Sequence, residues 1–111
     1  MGGATQLLPF MRSLIMIAQY IKQALIVENP IKSLRESKND YDYLDTVYSD
    51  VAVNIAEHII DGLNSHHALL YVLDREFGRE DIDPSRLQNC ITRISMLNTV
   101  LKDNPEKDIL K

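Results

Sequence analysis

Three histidines and one cysteine are the residues of this chain that could bind a metal ion or act as a nucleophile. His58 and Asp61 are three residues apart, so on a helix they would share one face and could hold an ion together with His66. The helical di-metal pattern, however, needs an E-x-x-H spacing on two helices, and here Glu57 is followed directly by His58. Cys90 lies on or beside an apolar stripe, where cysteine packs as a small hydrophobic residue. We therefore expect no catalytic centre, metal site or cofactor. A small metal-binding or enzymatic bundle using His58, Asp61 and His66 is the alternative.

A segment without basic residues is the clearest functional signal. Between Lys38 and Arg75 the chain has seven acidic residues and no Lys or Arg. Solvated helices usually mix charge signs, because pairs four residues apart stabilise the helix. An acidic surface with interleaved tyrosines is suited to a basic protein partner. The residues predicted to bind this partner are Asp42, Tyr43, Asp45, Asp50, Glu57 and Asp61. The competing interpretation is a helix face that is merely solvated, with its charge partly neutralised within the fold.

The elements that position these residues are predicted to be helical throughout. The chain has 111 residues, of which 45% are apolar and 25% charged, which is typical of one globular domain covering residues 1–111. Apolar residues recur with helical rather than strand periodicity. We predict an all-α bundle of about four helices, near residues 9–27, 41–62, 65–77 and 84–102. Because the apolar stripe runs in phase through Leu63 and His66, a single long kinked helix over residues 41–77, leaving three helices, is the alternative.

The ends of these helices carry recognisable signals. Pro9 suits a first helical turn, and Asn29, which precedes Pro30, is expected to adopt an extended conformation and stop the first helix. Asn39 or Asp40, Asn64 or Ser65, and Asp83 are the expected N-caps of the later helices.

The first helix carries the second functional signal. Its core stripe is predicted to contain Phe10, Leu14, Ile17, Ile21 and Leu25. Further apolar residues project near its polar side, and a helix that is apolar nearly all round must be buried nearly all round. Either this helix is central in the bundle, or a second copy of the chain covers it. We predict a homodimer, with an interface that contains Leu8, Ile15, Met16 and Ile26.

Charge and cysteine content restrict the partners and the compartment. A net charge of −4 argues against nucleic acid, whose binding requires a clustered basic surface. The apolar residues 7–27 are interrupted by Arg12 and Lys22, which argues against a membrane segment. A single cysteine cannot form an intramolecular disulfide, and a reducing cytoplasm is the expected location.

These observations lead to a functional prediction without a specific activity. We expect a non-enzymatic protein-interaction module, such as a chaperone, an anti-activator or another regulator, or a small subunit of a complex. It would dimerise through apolar helix faces and present its acidic Asp/Tyr face to a basic partner. A sharper alternative is an inhibitor or immunity protein whose acids occupy the phosphate sites of a basic toxin or nuclease.

Overall fold

Four long α-helices make up most of the described chain. The computed structural model describes residues 2–37 and 39–103, and the side chains of residues 12–37 and 39–96. The helices are α1 (Gly2–Glu28), α2 (Tyr41–Ile60), α3 (Ser65–Phe77) and α4 (Pro84–Asp103), and short 3₁₀ segments at Lys32–Ser37 and Arg79–Asp81 lie in the connections. No strand occurs among the described residues, which confirms the all-α bundle with four long helices.

The helices pack in a ring around one hydrophobic core. The main contacts join α1 to α2, α2 to α3, α3 to α4, and α4 back to α1. The predicted stripe of α1 is confirmed from Leu14 onward, because Ile17, Ile21 and Leu25 are buried and Leu14 packs against the core. The side chain of Phe10 lies outside the described residues. Leu87, Cys90, Ile91 and Ile94 supply the contribution of α4.

Each later helix begins at a polar residue that was expected to cap it. The Asp40 carboxylate accepts a hydrogen bond from the Tyr43 N–H at 3.0 Å, and the Asn64 side chain accepts from the His66 N–H at 2.9 Å. Asp83 accepts from the Ser85 N–H, also at 2.9 Å, with Pro84 as the first residue of α4. These caps satisfy amide groups that have no partner inside the helix.

The break between α2 and α3 confirms the two predicted helices, and the alternative of one long kinked helix is wrong. Gly62 has a φ of 108°, a conformation that residues with a side chain rarely adopt, and α3 restarts at Ser65. The turn also changes the helical phase. Leu63 and His66 are exposed, and Ser65, not His66, lies on the buried face of α3.

The start of α1 also differs from the prediction. The helix begins at Gly2 and continues through Pro9, which had been expected near its first turn. An interior proline removes one backbone hydrogen bond, but Ala4, Gln6 and Leu7 are strong helix formers and extend the helix upstream of it.

The end of α1 is formed by a buried asparagine in a left-handed conformation. Asn29 has a φ of 44°, so the expectation of extended geometry was wrong. Its Oδ1 accepts a hydrogen bond from the Tyr48 hydroxyl at 2.7 Å, and its Nδ2 donates to the Leu34 carbonyl at 3.3 Å. Asparagine adopts this conformation more readily than most residues that carry a side chain.

Candidate functional site

The acidic side chains of α2 lie on two different sides of the helix. Tyr43, Asp50 and Glu57 are spaced seven residues apart, and Asp61 follows Glu57 by four, so these residues align along one side. All four are exposed, and they lie opposite the buried side that contains Tyr48. We call Tyr43, Asp50, Glu57 and Asp61 the acidic ridge.

The other two predicted acids face α1. The Asp45 Oδ1 forms an ion pair with the Lys22 Nζ, 2.9 Å away, so the charge of this acid is neutralised within the fold. Asp42 is exposed, one turn before Asp45, on the side of α2 that borders α1. The structure therefore does not bring all six predicted partner-binding residues onto one surface.

The ridge acids differ in their surroundings from the acids that the fold pairs with a basic residue. None of the ion pairs of the described side chains includes a ridge carboxylate. These pairs are Lys22 with Asp45, Arg93 with Glu28, Arg35 with Asp83, Arg79 with Asp74, and Arg75 with Glu76. The ridge consequently presents charge of one sign to its surroundings. It is the part of the predicted acidic surface that is exposed and that no ion pair of the described side chains includes.

The tyrosines of α2 are divided in the same way. Tyr43 is exposed on the ridge, whereas Tyr48 is fully buried and donates its hydroxyl to Asn29. Tyr41 is exposed and its hydroxyl accepts a hydrogen bond from the Gln23 Nε2 at 3.4 Å, so it lies at the border with α1. Of these three tyrosines, Tyr43 is therefore the one that contributes aromatic surface to the ridge.

A second surface lies on the outer side of α1. Its large apolar side chains are Ile15, which is 52% exposed, Met16 (57%), Tyr20 (42%) and Val27 (57%). Together with Gln19 and Gln23 they form what we call the outer face of α1. The face borders an open groove of about 510 Å³ between α1 and Arg93 of α4.

The predicted interface residues are placed differently from one another. Ile15 and Met16 belong to the outer face, whereas Ile26 is half-buried and packs against the chain's own core. The side chain of Leu8 lies outside the described residues. Tyr20 and Val27 were missed, although they follow Met16 by 4 and 11 residues and therefore share its side of a helix.

The three residues proposed for a metal-binding alternative do not form a cluster. His58 Nδ1 lies 3.0 Å from the Asn54 carbonyl oxygen, and its ring packs 5.3 Å from Tyr71. His66 is exposed and stacks on His67 with ring centres 5.2 Å apart. Among the described residues, no three His, Cys, Asp or Glu side chains are arranged to hold a metal ion.

The lone thiol is placed in the core. Cys90 is fully buried, and its Sγ lies 3.7 Å from the Ala24 carbonyl oxygen. Burial, with a smaller contribution from the negative charge of Glu28, raises the pKa of the Cys90 thiol to about 12. A thiol in this state is a poor nucleophile, because the thiolate is the reactive form.

Comparison with protein-family models, curated proteins and solved structures finds no match to this chain. The function is therefore inferred from its surfaces. Over the described residues, no helix combines the length and apolar character needed to cross a bilayer. Among the described side chains, the two most distinctive surfaces are the acidic ridge of α2 and the uncharged, apolar outer face of α1.

Proposed function

We propose that this protein is a non-enzymatic binding module that recognises a basic protein partner through the acidic ridge of α2. The observation that carries the proposal is the separation of the acids. Asp45 is paired within the fold, whereas Asp50, Glu57 and Asp61 point outward and lie outside the ion pairs of the described side chains. Charges of one sign on one surface attract an oppositely charged partner and raise its association rate.

The position of two ridge acids supports the same proposal. Glu57 lies in the last turn of α2, and Asp61 is the residue that ends the helix, where its N–H bonds to the Glu57 carbonyl at 3.0 Å. The helix dipole disfavours negative charge at a C-terminus by about 0.3–1 kcal/mol and favours Lys or Arg there. Two carboxylates at this end are therefore not explained by helix stability, whereas recognition of a basic surface does explain them.

Tyr43 gives the ridge a contact that is not electrostatic. It lies seven residues before Asp50 on the same exposed side. A tyrosine ring contributes apolar area with little loss of side-chain freedom, and its hydroxyl can bond at the rim of an interface. In the proposed mechanism the acids bring the partner to the ridge, and Tyr43 supplies a packed contact after docking.

The proposal includes self-association through the outer face of α1. Ile15, Met16 and Val27 are each more than half exposed on one side of a single helix. Contiguous exposed apolar side chains usually mark an association surface. The acidic ridge lies on a different helix, so both surfaces can be used at once.

Charge reversal at the end of the ridge tests this function. The double variant Glu57→Lys/Asp61→Lys should keep or slightly raise the free energy of unfolding, because it places positive charge at a helix C-terminus. The same variant should lose partners that wild-type protein retains from an extract of its native host. Glu80→Lys is the matched control, since Glu80 is an exposed acid on the 3₁₀ segment that follows α3.

Binding kinetics complete the experiment. For a partner retained by the wild type and by Glu80→Lys, the double variant should associate more slowly and with a weaker dependence on salt. If the double variant retains the same proteins with equal association rates, the ridge is ordinary solvated surface and the proposed function is wrong.

A further inference from the structure

The outer face of α1 is uncharged over most of its length. From Ile15 to Val27 it spans 12 residue steps, or about 18 Å of helix. Lys22, which lies within this stretch of sequence, projects to the side and pairs with Asp45 of α2. A second copy of the face could therefore pack against it without burying an unpaired charge.

Opposite charges lie near the two ends of this face, one on α1 and one on the neighbouring α2. Arg12 is exposed and precedes Met16 by four residues and Gln19 by seven, so it lies on the same side of α1. At the other end, the contact between Lys22 and Asp45 places the start of α2 beside the C-terminal half of α1. Asp42 lies one turn earlier on α2, level with about residue 25 of α1.

These two charges are too far apart to meet within one molecule. Thirteen residue steps separate Arg12 from the level of Asp42, which corresponds to about 20 Å along α1. A second copy running antiparallel, with a twofold axis near Tyr20, would place each Arg12 opposite position 28 of the other copy. Measured along the helix axis, that position is within one helical turn of the level of the other copy's Asp42 on α2.

We propose that the outer face of α1 packs on itself in an antiparallel, twofold-symmetric dimer, with Arg12 of each copy against Asp42 of the other. The inference rests on the self-association in the proposed function and specifies its geometry. Because a twofold interface repeats every contact, the pair occurs twice. A parallel arrangement is disfavoured, since it would place Arg12 against Arg12 and Asp42 against Asp42.

The arrangement has a consequence for partner binding. The acidic ridge is on α2, and Asp50 and Glu57 project away from the side of that helix that borders α1. Both ridges of the dimer therefore stay uncovered. The dimer would present two acidic ridges and bind two basic partners.

Sedimentation equilibrium of charge-reversed variants tests the pairing. Arg12→Asp and Asp42→Arg should each weaken the dimer about tenfold, because each reversal creates two repulsive contacts. The double variant restores opposite charges and should return the dissociation constant to within about threefold of wild type. Arg79→Asp, an exposed charge in the connection between α3 and α4, is the control and should change nothing.

Disulfide crosslinking tests the direction of the helices. About an axis near Tyr20, a cysteine at position 19 is about 3 Å from its own copy along the helix, whereas one at position 27 is about 21 Å away. Gln19→Cys should form a crosslinked dimer under mild oxidation, and Val27→Cys should not. Wild-type protein is the control, because its Cys90 is buried.

The outcomes separate this inference from the proposed function. Crosslinking of both cysteine variants overturns the antiparallel geometry while leaving self-association in place. The same holds if the dimer of the double charge-reversal variant is as weak as the dimers of the single variants. A monomeric wild type with no crosslinking of either variant overturns both the antiparallel geometry and the proposed self-association. Neither result bears on recognition by the acidic ridge, which is measured separately through Glu57 and Asp61.

Discussion

The buried hydrogen bond between Tyr48 and Asn29 gives the sharpest stability prediction. Tyr48 is fully buried, Asn29 is 5% exposed, and the hydroxyl and Oδ1 are 2.7 Å apart. Burial raises the pKa of Tyr48 far above its ordinary value, so the hydroxyl stays protonated and remains a donor. Tyr48→Phe removes this donor and leaves the Asn29 oxygen unpaired in the core.

The expected cost follows from what the substitution keeps and loses. The ring stays, with its edge-on contact to Phe77 at 6.5 Å between ring centres, so apolar packing is retained. Leaving one buried acceptor without a donor costs about 1–3 kcal/mol. At about 4 °C per kcal/mol for a domain of this length, the melting temperature should fall by about 4–12 °C.

Urea unfolding followed by circular dichroism measures this cost. All variants should be compared at one protein concentration, because self-association would add to stability. Tyr43→Phe is the control, since its hydroxyl is on an exposed residue, and should change the free energy of unfolding by less than about 0.5 kcal/mol.

Repeating the substitution in a variant that lacks the Asn29 side chain identifies the partner of the Tyr48 hydroxyl. Asn29→Gly retains access to a positive φ and removes the acceptor. In that background Tyr48→Phe should cost less than in the wild type, because the hydroxyl it deletes has already lost its partner. Equal costs in the two backgrounds, or a cost below about 0.5 kcal/mol in the wild type, would refute the reasoning.

Two further predictions concern the thiol of α4 and the cap of the same helix. Cys90, with a pKa raised from about 9 to about 12 chiefly by burial, should resist iodoacetamide at pH 8 in the folded protein and react on unfolding. Because only the unfolded thiol ionises between those values, the free energy of unfolding should fall from about pH 9 to about pH 12. Cys90→Ala should remove this part of the pH dependence of stability. The same pH dependence in the variant and the wild type would contradict a raised thiol pKa. Asp83→Ala should cost about 1–2 kcal/mol in urea unfolding, since it removes the bonds to the Ser85 and Arg86 N–H groups at 2.9 and 3.3 Å and the ion pair with Arg35. Asp83→Asn should recover most of the capping contribution, and equal stability of the alanine variant and the wild type would show that the cap is dispensable.

The local signals in the sequence were sufficient for the helices and most of their ends. Asp40, Asn64 and Asp83 cap the helices they were expected to cap, because a cap depends on residues two or three positions away. The buried side of α1 from Leu14 to Leu25 follows from helical periodicity alone. Local rules failed at Asn29, where a bond to Tyr48, 19 residues away, accompanies a conformation that the following proline did not predict.

The character of the surfaces was decided by tertiary packing. The sequence shows that the segment between Lys38 and Arg75 is acidic, but only the placement of α1 beside α2 brings Lys22 to Asp45 and leaves Asp50 on the open side. The same packing half-buries Ile26. The composition and period of a helix are properties of its own residues, whereas exposure and charge pairing depend on which other helix lies against each side.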